Sequence, residues 1–182
     1  MDYVIRELKK EEIPLLDDFL YEAIFIPEGA EKPPGEIIEQ PDLQVYIRDF
    51  GCEKDDHALV AESEGKVIGA VWVRIMDDYG HVNDDTPSLA ISVLEEYRGR
   101  KIGTALMKKM LEYLGRNGYT GVSLSVQKAN YAAKMYRHLG FRVVRENEED
   151  CVMVRSLKNH YDNTDSQSRE YVIKQSARTE KS

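Results

Sequence analysis

The stretch Ser88–Leu114, SLAISVLEEYRGRKIGTALMKKMLEYL, constrains the fold more than any other part of the chain. An apolar strand runs through a short loop of Arg, Lys and Gly into an amphipathic helix. The loop offers small residues at Gly99 and Gly103, cations at Arg98, Arg100 and Lys101, and the free N–H groups of a helix start. That combination suits a phosphate, because backbone donors and the helix dipole both favour negative charge there. Two common phosphate loops are excluded by their letters. A P-loop needs GxxxxGK[ST], which the chain lacks, and a dinucleotide fingerprint needs GxGxxG, whereas Gly99 and Gly103 are spaced GxxxG.

Hydrophobic spacing places further elements on either side. Residues 3–8 read as a strand, and 10–25 as a helix with Ile13, Leu16, Phe19, Leu20 and Ala23 at helical intervals. The Pro- and Gly-rich segment IPEGAEKPPGEIIEQPD breaks regular structure, and 43–50 reads as a second short helix. HALVAESEGKVIGAVWVRIM reads as an antiparallel pair turning at Ser63–Lys66, with Gly65 supplying the positive φ of a tight hairpin. The helix after the loop stops near Gly115 or Gly118. GVSLSV is then a strand, 130–139 a helix, and FRVVRE and CVMVRSL a closing pair of strands. The order is strand, helix, helix, three strands, helix, strand, helix, two strands, which predicts one mixed α/β (α+β) domain over residues 1–158. Residues 159–182 are polar and read as a flexible tail or an appended arm.

Composition excludes several function classes. With 182 residues, 42% of them hydrophobic, the chain is long enough for one buried core and a pocket. It shows no apolar run of membrane-spanning length and no apolar segment in MDYVIRELKKEEI, so a cytoplasmic protein without membrane contact is expected. A net charge of −8, with cations interspersed among acids, argues against a nucleic-acid partner. Cys52 and Cys151 have no CxxC spacing and no companion His, and read as reduced thiols rather than metal ligands.

The loop resembles the Q/R-x-x-G-x-G/A motif of the GCN5-related N-acetyltransferase (GNAT) superfamily, with Arg98 opening it and Gly103 in its last small position. Lys101 stands where the family usually has glycine. A second stretch, NYAAKMYRHLGF, Asn130–Phe141, is similar to the family's N-x-A-A-x-x-Y-x-x-x-G-F helix. The resemblance covers about residues 3–157. It implies a mixed, mostly antiparallel sheet of about seven strands flanked by about four helices.

The activity implied is transfer of the acetyl group of acetyl-CoA to a primary amine of a small molecule or peptide, with no metal and no enzyme-bound acyl group. A non-catalytic acyl-CoA-binding module is the alternative. By the same resemblance, Arg98, Gly99, Arg100, Lys101, Ile102, Gly103 and Thr104 hold the coenzyme's pyrophosphate. A bulged backbone at Ile91, Ser92 and Val93 carries its amides and an oxyanion donor, and Asn130 and Ala133 lie along it. Tyr136 would protonate the leaving thiolate, or is a core tyrosine. Many relatives carry a glutamate where this chain has Ser88, so the base is open among Asp84, Asp85 and His81. The acidic loop of Asp77, Asp78, Asp84 and Asp85 would draw a cationic acceptor, with Asp84 and Asp85 binding it. A homodimer is left open.

Overall fold

The computed structural model describes residues 2–157, so the tail expected at 159–182 lies outside the described residues. Its strands are β1 Val4–Glu7, β2 His57–Ser63, β3 Lys66–Arg74, β4 Ser88–Val93, β5 Gly121–Gln127, β6 Arg142–Glu146 and β7 Asp150–Ser156. They form one seven-stranded sheet in the order β1-β2-β3-β4-β5-β7-β6. Every neighbouring pair is antiparallel except β4 and β5. A parallel pair needs a crossover, and the helix α3, Ile102–Arg116, supplies it.

Both faces of β2 and β3 are buried, which is why HALVA and VIGAVWV read as nearly unbroken apolar runs. Leu59, Ala61, Val71 and Val73 face α3 and α4, Ala132–His138, while Ala58, Val60, Ala70 and Trp72 face α1, Leu15–Ala23. Helix α3 turns Ile102, Leu106, Met107, Met110 and Leu114 inward at helical spacing. The hairpin between β2 and β3 turns at Glu64, φ 52°, and Gly65, φ 78°, as the sequence predicts. No helix among the described residues is long and apolar enough to cross a membrane.

Three local departures from the sequence reading have physical causes. The helix expected over 10–25 is split into a 3₁₀ turn, Lys10–Glu12, and α1, because Pro14 has no N–H to give and its ring crowds the preceding turn. The helix expected over 43–50 is instead the short α2, Pro41–Gln44, followed by turns. Buried donors draw off its later carbonyls: the Trp72 indole donates to Tyr46 O at 3.1 Å, and Arg74 donates to Val45 O at 3.1 Å and Arg48 O at 2.8 Å. Finally, β4 keeps an unbroken register with β3 from Ser88 to Val93, without the bulge expected around Ile91–Val93. A register shift falls on the β2–β3 pair beside Ala61 and Glu62.

Arg74 also pairs with Asp56 at 3.1 Å, with 8% and 0% of the two side chains exposed. This buried cation therefore fixes the whole 45–56 segment to the sheet. Replacing it with Ala strands the Asp56 carboxylate and frees two carbonyls, so Arg74→Ala is expected to cost about 3 kcal/mol or more in urea unfolding.

Candidate active site

The site begins where the sheet fails to close. Strands β4 and β5 pair only at Ser88 and Ser123, and beyond that point they diverge. The Leu94 N–H bonds to Ile68 O on β3 at 3.0 Å, so strand alternation turns the N–H groups of Ile91 and Val93 the other way, toward β5. Divergence, rather than a bulge, thus frees the edge of β4. The gap is a cleft of about 860 Å³ walled by β4, β5, the 98–104 loop, the starts of α3 and α4, and the end of α1.

At one end stands the helix start. Lys101 caps α3 with φ 64° and ψ 9°, a left-handed conformation that suits the glycine usual there better than a lysine. The first helical bond runs from Ala105 N–H to Lys101 O, 3.0 Å, which leaves the N–H groups of Ile102, Gly103 and Thr104 without intrahelical acceptors at the cleft wall. A Cβ on Gly103 would meet nothing nearer than 3.9 Å, and the atoms it would approach belong to Ile91, Val93 and Met135. The room beside Gly103 is the cleft itself. A diphosphate fits these donors, and an extended amide-bearing chain fits the open β4 edge, so the site suits acetyl-CoA.

The two loop arginines are differently employed. Arg98 donates to Val93 O at 2.9 Å and to the Glu22 carboxylate at 2.7 Å, so it acts as a strut between the loop, β4 and the end of α1. Arg100 is exposed, donates to Glu96 O at 3.2 Å and lies over the Tyr97 ring. Gly99 lines the cleft with φ 77°. Ser92 turns to the other face of the sheet, where its hydroxyl donates to Phe19 O at 2.6 Å.

Helix α4 supplies the middle of the wall. The Asn130 carboxamide accepts the Ala132 N–H at 2.9 Å and so caps the helix beside the cleft. Ala133 is buried in the core, while Ala132, Met135 and Tyr136 line the cleft. Tyr136 is 7% exposed, and among the described residues its hydroxyl has no hydrogen-bond partner. Burial pushes its pKa up, which keeps the phenol protonated and able to donate.

The far end is built by residues the motifs did not indicate. Asp42, Tyr46, Tyr79 and Asp150 line it, and the Tyr79 hydroxyl donates to Asp42 at 2.8 Å. Asp84 and Asp85 are exposed on the outer part of the 77–87 loop and are not among the lining residues. His81 is held off the wall, with Nδ1 on Met76 O at 3.0 Å and Nε2 3.6 Å from Asp84. The loop nevertheless returns a carboxylate to the start of β4, because the Ser88 hydroxyl donates to Asp78 at 2.6 Å. Burial, and next the Asp78 charge, push the Tyr46 phenol up. No sequence motif marks Tyr46, which reaches the site through tertiary packing, and the sequence marks Asp78 only as one of the four acids of its loop. Among the described residues no group of three or more His, Cys, Asp or Glu side chains could hold a metal ion.

Comparison with known proteins agrees with this geometry. The model of the acetyltransferase (GNAT) family matches residues 20–141. An N-acetylaspartate synthetase of Xenopus tropicalis is 39% identical over 87 residues, 47% of this chain and 30% of that protein. The human N-acetyltransferase 8B is 34% identical over 117 residues, 62% of this chain and 52% of that protein. The chain thus spans between about a third and half of these relatives' length. The crystal structure of the PaiA N-acetyltransferase of Thermoplasma acidophilum in complex with coenzyme A superposes with a TM-score of 0.63 at 21% identity, covering 86% of this chain and 99% of that one. The ribosomal-protein-S18-alanine N-acetyltransferase of Escherichia coli gives 0.61 at 17% identity, covering 87% and 96%.

Lys101 is the point of local strain in the loop. Lys101→Gly exchanges a left-handed lysine, strained by about 1 kcal/mol or more, for a residue that adopts this φ freely. After the added chain entropy of glycine, the thermal midpoint is expected to rise by about 2 °C in a melting scan.

Proposed function

This chain belongs to the acetyltransferase (GNAT) family, and from that premise we propose that it transfers the acetyl group of acetyl-CoA directly to a primary amine. The observation that carries the reading is the free edge of β4, which leads from the unpartnered N–H groups of Ile102–Thr104 to the Tyr136 hydroxyl. Acetyl-CoA supplies the activated acyl group as a thioester. The helix-start donors would hold its pyrophosphate, with the dipole of α3 offsetting negative charge. The Ile91 and Val93 N–H groups would orient the amide chain and face the acetyl oxygen as charge develops there. Tyr136 would give its proton to the departing sulfur.

The acceptor is an amine reaching the cleft from the end lined by Asp42, Tyr46, Tyr79 and Asp150. Thiol release from acetyl-CoA tests this across polyamines, amino acids and peptides. Aspartate belongs in the panel because a relative is named for N-acetylaspartate. A chain that binds coenzyme A but turns over none of these would be the non-catalytic binding module instead.

Two variants separate binding from chemistry. Gly103→Glu places bulk and negative charge beside the helix-start donors, so calorimetric affinity for coenzyme A is expected to fall at least about tenfold. Tyr136→Phe removes only the proton donor, so kcat is expected to fall about 100-fold with little change in coenzyme affinity. A kcat within about twofold of wild type would make Tyr136 a packing residue.

A further inference from the structure

Asp78 is placed unlike the other acids of its loop. One carboxylate oxygen accepts the Ser88 hydroxyl at 2.6 Å, and Ser88 lies at the point where β4 and β5 part. The other oxygen, Oδ2, is buried, and among the described residues no donor meets it in full hydrogen-bonding geometry. Leaving a buried carboxylate oxygen unsatisfied is costly, so a purely structural pin has no use for it. Gly80 lets the loop pack Oδ2 close behind the β5 wall of the cleft: a Cβ there would lie 3.1 Å from Oδ2 and 3.1 Å from both Leu124 C and Ser125 N. The Tyr46 phenol, on the facing wall, interacts with the same carboxylate.

We infer that Tyr46 and Asp78 form a proton relay that binds the acceptor as an alkylammonium and strips it to the free amine. The inference rests on the acetyl transfer proposed above. An alkylamine has a pKa near 10.4, about three units above neutrality, so nearly all of it arrives protonated. Tyr46 touches the ammonium and accepts its proton while passing its own to Oδ2. A phenol whose pKa is held high by burial works this way, since it is never required to stand as a phenolate. Asp78 acts through Tyr46, and Ser88 fixes its orientation.

The protons balance. The ammonium loses two: the first goes through Tyr46 to Asp78 before attack, and the second leaves the nitrogen to solvent after attack, from which Tyr136 regains the proton it gives to sulfur. The C–N bond forms as the C–S bond breaks, and Asp78 returns its proton to solvent between turnovers. The titratable and charged groups around the relay are Asp42 of α2, Tyr79 and His81 of the loop, Arg145 of β6 and Asp150 of β7. Arg145 donates to Tyr79 O at 3.4 Å and His81 O at 3.3 Å, and so braces the loop.

The test uses the full chain, acetyl-CoA and an alkylamine that wild type acetylates. Tyr46→Phe and Asp78→Asn are each expected to lower kcat/KM for the amine about 100-fold near neutral pH, with calorimetric coenzyme A affinity unchanged. The double variant should fall within about threefold of the worse single one, because the two act as a unit. The loss should shrink as pH approaches the amine's own pKa, where solution supplies free amine. In Asp78→Asn the carboxamide oxygen can still accept the Ser88 hydroxyl; should that variant misfold, Tyr46→Phe, which keeps the ring, decides through its pH profile. Additive losses, losses equal at every pH, or a fully active single variant would overturn the relay and leave acetyl transfer standing. Coenzyme A binding by wild type without thiol release for any amine would overturn both.

Discussion

Everything distinctive about this molecule follows from one failed strand pairing. A parallel pair of ordinary length would seal β4 to β5, yet the two meet only at Ser88 and Ser123. The unpaired polar edge that results would be costly if simply buried. Three contacts hold β4 along the stretch where it diverges. Arg98 takes the Val93 carbonyl, Ser92 ties β4 to Phe19 of α1, and Ser88 ties the start of the strand to Asp78. The first occupies a carbonyl that a closing ladder would need, and the other two fix the strand to α1 and to the 77–87 loop. The sheet on both sides is antiparallel and continuous, so the gap is confined to the one place where a crossover helix delivers free N–H groups.

The cleft is also polarised along its length. One end presents helix-start amides with Lys101 and Arg98 nearby, and the other presents Asp42 and Asp150. The remaining acids on the wall are spoken for, Glu22 by Arg98 and Glu95 by Lys32. A chain of net charge −8 would repel a polyanion over most of its surface, so the helix-start end carries the favourable field for a phosphate. Opposite ends then suit groups of opposite charge.

The donor half of this arrangement was legible in the sequence, and the acceptor half was not. A phosphate loop must join a strand to a helix with small residues at set positions, so Arg98–Thr104 and Asn130–Phe141 announce themselves as local patterns. Even there, the letters do not show that Arg98 is a strut, or that Ala132 rather than Ala133 faces the cleft. The strand periodicity gave both sheet faces, but Pro14 and the carbonyls captured by Trp72 and Arg74 reshaped the helices nearby. Tyr46 lies where the expected 43–50 helix gives way to turns, and Asp78 lies in a polar loop without periodicity. They meet only because a buried arginine anchors one and a serine on β4 anchors the other.

That last pair shows how a carboxylate can serve a strand without belonging to it. On β4 itself, its direction would be dictated by the pleat, and a change of register would swing it to the other face. On the 77–87 loop, its direction is set by three independent contacts: the Ser88 hydroxyl, the Arg145 braces on Tyr79 and His81, and the close approach of Gly80 to β5. Two of these come from strands on the far side of the cleft, β5 and β6. This end of the cleft is therefore tied both to the centre of the sheet, through β4 and β5, and to its β6 edge. Changes at the exposed β6 edge can reach the orientation of Asp78 through Arg145 while the helix start of α3, packed on Ile102 and Leu106, stays where it is.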